Sequence, residues 1–451
     1  MKLESKSLEI LAEALTRLES GFAGLPEVNN SVDYAALRRV MMEVADKMQN
    51  NYPYFHPQYV GQMLKAPHPM ARLAYMLSLW INPNNHAIDG GRASSQMEKE
   101  AVAEIARMFG WEKALGHLAS GGTMANLEAL WVSGKLQPGK LIVASEMAHY
   151  THNRISEVLK LPFQSIACDK QCRMDLKELE KVLKTGQVGT VVVTIGTTAA
   201  GAIDPLPEIL TLQEKYGFRV HIDAAYGGYF TLAGNLSQSA RLAYDKLKLA
   251  DSIVVDPHKH GLQPYGCGCI LFKDPAVGAL YKHDSPYTYF SSQELHLGEI
   301  SLECSRPGAS AVALWATQKL LPMVKGGEFA RNLEKSKEAA VQLTAKIKAD
   351  ARFRLILEPE LDIVMWAPLA GSDSRISELS RQIFERAAED DLHLAIVKFP
   401  TRLLKDSWKN VRFENEYVTC LRTCLMQPEH LEWLGRIWAI LDKATADVLA
   451  R

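Results

Sequence analysis

From Glu98 onward the chain alternates helix-length stretches with short apolar runs rich in β-branched residues, and that rhythm restricts the fold more than any other feature. The runs are LIVAS (141–145), FQSIA (163–167), TVVVTIG (190–196), RVHIDAA (219–225), SIVVD (252–256) and CGCILF (267–272). Helical patterns such as Asp175 to Thr185 and Leu206 to Tyr216 lie between them. A helix between two strands lets them run parallel in one sheet with both faces covered, which suits strands that are apolar throughout. The pattern therefore reads as α/β with a buried, mainly parallel sheet. In such sheets ligands bind beyond the carboxyl ends of the strands, so the residues that follow each run are the first candidates for chemistry.

The flanking regions read differently. In the first 50 residues, Leu8, Leu11, Leu15 and Leu18, then Ala36, Val40, Met41 and Val44, recur at helical spacing on either side of a break at Asn29 to Ser31. Two amphipathic helices of this kind cannot bury their apolar stripes alone and must pack on the body of the protein or on a second subunit. After Pro307 and Gly308 come two long helical patterns reaching about Asp350. Beyond them strands are expected near Phe353 to Leu357, Ile363 to Trp366, Leu392 to Val397 and Tyr417 to Met426, with helices near Ser374 to Asp390 and Glu429 to Leu449. The expected division is a helical arm over 1–60, a large domain over 61–325 and a small α+β domain over 326–451.

Composition narrows the function classes. Lys and Arg total 51 against 52 Asp and Glu, a formal net charge of -1, which removes any whole-molecule attraction to nucleic acid or an anionic membrane. No apolar run approaches the ~18 to 20 residues of a membrane span, and MKLESKSLEI lacks the apolar core of a signal peptide, so a soluble, cytoplasmic protein is expected. The seven cysteines include no C-x2-C pair of the structural-zinc kind; reduced thiols and no metal are expected.

Three segments carry chemistry at strand or helix ends. In HIDAAYGGYF (221–230), Asp223 ends an apolar run beside Ala224 and Ala225, whose small side chains leave room for a flat ring; a cap of a helix or loop is the simpler alternative. In SIVVDPHKHG (252–261), Lys259 follows a strand between His258 and His260, where neighbouring cations and partial burial favour the neutral amine that forms Schiff bases. In LASGGTMANLEAL (118–130), a Gly-Gly turn opens a helix, so the amides of Gly122, Thr123 and Met124 and the Thr123 hydroxyl are placed to hold a phosphate. The Lys of a P-loop is missing, as are G-x-S-x-G and H-E-x-x-H. A phosphate anchor, a carboxylate for a pyridinium nitrogen and a Schiff-base lysine together suit pyridoxal 5'-phosphate.

The ordered set SGGTMANL, SEMAHYTHNR, TIGTTAAGAID, HIDAAYGG and DPHKHG resembles the group II pyridoxal-phosphate-dependent amino acid decarboxylases, which act on aromatic amino acids, glutamate, tyrosine or histidine. The likeness runs from His56 to about Gln427. It implies a fold-type I enzyme with a seven-stranded sheet, a homodimer, and an amino acid substrate. It makes Lys259 the lysine that takes the cofactor aldehyde and Asp223 the partner of the ring nitrogen. His149 would stack on one ring face with Ala225 on the other, Thr197 would bond near the ring hydroxyl, and Gly122, Thr123 and His258 would hold the phosphate. Arg422 and His56 fall where members bind substrate. Tyr289, followed by Phe290, matches the loop tyrosine that returns a proton to the α-carbon better than Tyr287, followed by Thr288. Many members carry Asn where Asp256 stands, and an acid there would repel a phosphate.

The segment SRPG (305–308) looks more like the branch holding sphingosine-phosphate lyase and archaeal tyrosine decarboxylase, which makes carbon-carbon cleavage the alternative activity. The principal reading is decarboxylation of an L-amino acid to the amine and carbon dioxide. Tyr54, Phe55 and Trp80 favour an aromatic side chain such as that of tyrosine or tryptophan, with an acidic substrate or diaminobutyrate as the alternatives.

Overall fold

A computed structural model describes residues 5–28, 31–282 and 295–450. Seven strands form the larger sheet: β1 (Leu115–Ala119), β2 (Leu141–Ser145), β3 (Phe163–Ile166), β4 (Val188–Thr194), β5 (Arg219–Asp223), β6 (Ser252–Val255) and β7 (Gly268–Phe272). Their order is β1-β7-β6-β5-β4-β2-β3, with β3, β2, β4, β5 and β6 parallel and β7 antiparallel to both its neighbours. All seven residues of β4 are buried, as expected of an interior strand covered on both faces. The α/β class and the mainly parallel sheet read from the sequence are thus present. The strand that the periodicity missed is β1, because Gly116 and His117 interrupt its apolar run.

The helices preceding and covering this sheet are α1 (Ser5–Ser20), α2 (Tyr34–Met48), α3 (Pro69–Ser78), α4 (Arg92–Met108), α5 (Gly122–Leu136), α6 (Thr151–Val158), α7 (Leu176–Leu183), α8 (Leu206–Tyr216), α9 (Gln238–Lys246) and α10 (Gly308–Leu320). Local chemistry sets several of their ends. Asp175 caps α7 by accepting from the Lys177 and Glu178 amides, and Gly217, at φ 71°, ends α8 in a conformation that costs glycine little. Both helices of the arm form where their periodicity places them. Only Leu11 is buried in α1 and no residue is buried in α2.

A second, antiparallel sheet follows in the order β10-β11-β9-β8, built from β8 (Phe353–Leu355), β9 (Ile363–Pro368), β10 (Ala395–Pro400) and β11 (Tyr417–Cys424). It packs with α11 (Glu328–Ala349), α12 (Asp373–Glu389) and α13 (His430–Leu449) around Leu343, Phe353, Trp366, Ile383 and Leu441. Among the described residues no helix is long and apolar enough to cross a membrane, and no group of His, Cys, Asp and Glu is arranged to hold a metal ion.

A buried charge cluster ties the SRPG segment to the edge of the larger sheet. Glu98 of α4 receives the Leu118 amide at 2.9 Å, the Asn85 side chain at 2.6 Å and the Arg306 guanidinium at 3.1 Å. Arg306 also donates to the Leu118 carbonyl. Next to it, His117 contacts Glu128 of α5 at 2.9 Å. These partners lie at or below 6% exposure, so breaking the pair strands a charge that water cannot reach. Glu98→Ala is expected to destabilise the protein by about 3–5 kcal/mol, seen as a clearly lower melting temperature; an unchanged melting temperature would show that the cluster is not holding this edge.

Candidate active site

The parallel strands direct their carboxyl ends to one side of the sheet, and the chemical residues collect there. A cavity of about 300 Å³ is lined by Gly122 and Thr123 at the start of α5, by His149 before α6, by Asp223 and Ala225 after β5, and by His258 and Lys259 after β6. Asp223 is 5% exposed. Its Oδ2 lies 2.8 Å from His152 Nε2, and its Oδ1 accepts from the Ala225 amide at 3.1 Å. Burial alone would raise this carboxyl, but His152, Lys259 and the Ala225 amide outweigh it and hold the group well below the usual aspartate range. Asp223 is therefore an anion at the cavity wall.

His149 sits in the loop before α6, with the Thr151 amide donating to its Nδ1 at 3.3 Å. Burial lowers its pKa, and the nearby Lys259 and His152 add to this against Asp223, so the ring is neutral near pH 7. Lys259 Nζ lies 2.9 Å from Asp256 Oδ2, and His258 Nε2 lies 3.5 Å from the same oxygen. Burial lowers His258 as well. At the other wall no side chain caps α5, so its first amides face the cavity without an internal acceptor. A Cβ at Gly122 would come within 2.6 Å of Asp256, and one at Gly268 within 2.5 Å of the Gly121 backbone; glycine lets β7 and the turn close on each other.

Three expected residues are placed elsewhere. Thr197 is fully buried, and its hydroxyl accepts from the Ala202 amide at 3.0 Å; Thr194, Gly196 and Thr198 line the cavity in its stead. The turn after β4 folds back on Ala202, which draws Thr197 inward. Arg422, on β11, donates to the carbonyls of Ala199 at 2.9 Å and Thr198 at 2.6 Å and to Gln62 Oε1 at 3.2 Å, so it braces that turn and is not among the lining residues. His56 packs edge-on against Trp433 at 4.8 Å and lines a separate cavity of about 700 Å³ with Lys65, His68 and His260. Of the expected aromatic residues, Phe55 lines that second cavity, Tyr54 packs on Tyr59 at 4.8 Å and Trp80 is 62% exposed. Tyr287 and Tyr289 lie outside the described residues.

Residue-level reading missed His152, Asn126 and Gln62. His152 lies three residues after His149, one helical turn on, and that spacing was the available signal. Asn126 Oδ1 contacts His221 Nε2 at 2.8 Å beneath the cavity, while His221 Nδ1 meets Ser252 Oγ at 2.8 Å. Burial pushes His221 down to about 3, so it bridges these groups as a neutral ring. A larger cavity of about 920 Å³ lies by Lys170, Lys348 and Glu360, but its lysines are paired with Asp406 at 2.7 Å and with Glu358.

The pyridoxal-dependent decarboxylase conserved domain matches residues 124–367. The chain is 28% identical to an L-aspartate decarboxylase of Thermococcus kodakarensis over 374 residues, covering 81% of this chain and 92% of that one. It is 26% identical to an L-tyrosine decarboxylase of Enterococcus faecium over 544 residues, covering 88% and 86%. In structure it is similar to Oryza sativa TDC solved with PLP and tryptamine, at TM-score 0.78 and 16% identity over 98% of this chain and 96% of that one. Mouse CSAD is similar at TM-score 0.75 and 18% identity, over 97% and 99%.

Proposed function

The chain belongs to the pyridoxal-dependent decarboxylase family, and from that premise we propose that it converts an aromatic L-amino acid, such as tyrosine or tryptophan, to its amine and carbon dioxide. That it is a pyridoxal-phosphate-dependent amino acid decarboxylase follows from the family; the side chain it accepts and the roles of its residues are our reading. The alternative of carbon-carbon cleavage, suggested by SRPG, is not favoured, because the sequence relatives of Methanothermobacter thermautotrophicus, Thermococcus kodakarensis and Enterococcus faecium are decarboxylases by name.

The residues present suit the cofactor. Buried His258 Nδ1 and Thr194 Oγ1 have no hydrogen-bond partner within the protein, and the uncapped start of α5 is an anion-binding feature. Gly122, Thr123 and His258 would hold the phosphate, Lys259 would receive the aldehyde, and His149 and Ala225 would enclose the ring. Bound pyridoxal phosphate supplies an aldehyde for the substrate amine and a protonated ring that withdraws electrons from the bond to the leaving carboxylate.

The protein's part is to bind and to manage protons. Asp223, held as an anion beside His152, would keep a proton on the ring nitrogen of the bound cofactor, since an opposite charge raises the pKa of that nitrogen. Lys259 would hold the cofactor aldehyde, and Asp256, 2.9 Å from its Nζ, would keep that amine within the cavity. The neutral His149 offers an aromatic face without adding a charge. Arg422, itself bonded to Gln62, braces the turn whose Thr198 lines the cavity.

One observation carries the aromatic preference. Lys259 is the only lysine or arginine among the described residues lining the cavity, and it is paired with Asp256, so no cation there is free to meet a side-chain carboxylate. Tyr265 lies against the lining residue His258 at 4.7 Å and donates to the Met63 carbonyl at 2.9 Å, giving an aromatic surface next to that wall. An acidic substrate is the second reading, favoured by the aspartate decarboxylases among the relatives.

Carbon dioxide release from tyrosine, tryptophan, aspartate, glutamate and diaminobutyrate decides between them. The aromatic pair is expected to give the highest kcat/KM, and preference for aspartate or glutamate would overturn this reading. Asp223→Asn is expected to lower turnover by about 100-fold or more while the protein stays folded; near-normal turnover in that variant would remove Asp223 from the role.

A further inference from the structure

Asp256 is the one residue of the DPHK segment whose chemistry runs against phosphate binding. It is 2% exposed and lines the cofactor cavity. Both of its carboxylate oxygens lie within 2.8 Å of where a Gly122 Cβ would be, which places the charge against the first residue of α5. That helix start is where the phosphate is read to bind. Its Oδ2 is taken by Lys259 at 2.9 Å and approached by His258 at 3.5 Å, while its Oδ1 has no hydrogen-bond partner within the protein.

The surrounding charges do not cancel this anion once Lys259 is engaged. Among the described residues only His258 and Lys259 lie within ion-pair distance of Asp256. His258 is neutral near pH 7 because burial lowers it. Other buried groups facing Asp256, the Tyr229 phenol and the Cys267 and Cys269 thiols, are held neutral by burial. A phosphate arriving at Gly122 and Thr123 therefore meets a negative charge that is itself 2% exposed, and like charges repel more strongly in such surroundings than in solution.

We propose that Asp256 is a positioning residue with two opposed effects: its charge holds Lys259 Nζ at the cavity floor, and the same charge limits how tightly the cofactor's phosphate is bound. The proposal rests on the assignment of the α5 start as the phosphate site. Asp256→Asn keeps the shape and an oxygen that accepts from Lys259 but removes the charge. It should bind phosphate more strongly than the natural protein does, an outcome that loss of structure could not produce.

The test is equilibrium titration of the protein freed of cofactor, with pyridoxal 5'-phosphate and, separately, with pyridoxal, which lacks the phosphate. Asp256→Asn and Asp256→Ala are each expected to tighten binding of the phosphorylated form by roughly tenfold or more, with pyridoxal changed little. Equal tightening of both forms, unchanged affinity, or weaker binding of pyridoxal 5'-phosphate in a variant with a natural melting temperature would overturn the proposal while leaving the decarboxylase reading intact. If neither the natural protein nor the variants bind pyridoxal 5'-phosphate in preference to pyridoxal, the phosphate assignment fails and the proposal with it.

Discussion

A carboxylate kept charged inside the protein is a costly arrangement, and Asp223 is the one on which the site is organised. Burial disfavours its charge, yet the His152 ring at 2.8 Å and the Ala225 amide at 3.1 Å reverse that preference. For this to occur, β5 must end at Asp223 while α6, which follows β2, must begin where it can present His152 to that carboxylate. Both conditions follow from the parallel order β6-β5-β4-β2, which delivers the loops after several strands to one rim. The neutral His221 ring supports this rim from below, since it joins Asn126 of α5 to Ser252 of β6 and so links that helix to the strand that precedes Lys259.

The sheet was legible in the sequence because its strands are short apolar runs that need no partner to be recognised. Strand β1 escaped because Gly116 and His117 occupy positions that in isolation read as polar or flexible, and contacts with Glu128, Arg306 and the Leu118 carbonyl make a buried His117 tolerable. Lys259, Asp223, His149 and the α5 start were legible for a related reason: each follows a recognisable strand or opens a recognisable helix. Thr197, Arg422 and His56 show the limit of that logic. Their chain positions suit the cavity, but side-chain direction is set by tertiary contacts: hydrogen bonds from the Ala202 amide to Thr197 and from Arg422 to the Thr198 and Ala199 carbonyls, and edge-on packing of His56 against Trp433.

The second sheet and the edge cluster act on the site at a distance. Arg422 reaches from β11 to the turn after β4, so the smaller sheet shapes the cavity through main-chain carbonyls. On the opposite side, Glu303 accepts from the Ser120 amide at 2.9 Å, and Arg306 holds the segment behind it to β1. The cavity therefore lies between two sets of charge-assisted contacts, each made by a residue far along the chain from the strand it steadies.

Locating the covalent attachment of the cofactor tests the account most directly. The protein loaded with pyridoxal 5'-phosphate can be reduced with borohydride, digested and analysed by mass spectrometry for the residue that carries the pyridoxyl phosphate group. The account predicts the label on Lys259, the lysine that lines the cavity shared by Asp223 and the α5 start. Lys65 is the informative competitor, because burial pulls its amine down to about 8 and it lines the separate cavity beside His56. A label on Lys65, or on any lysine other than Lys259, would contradict the assignment of the site.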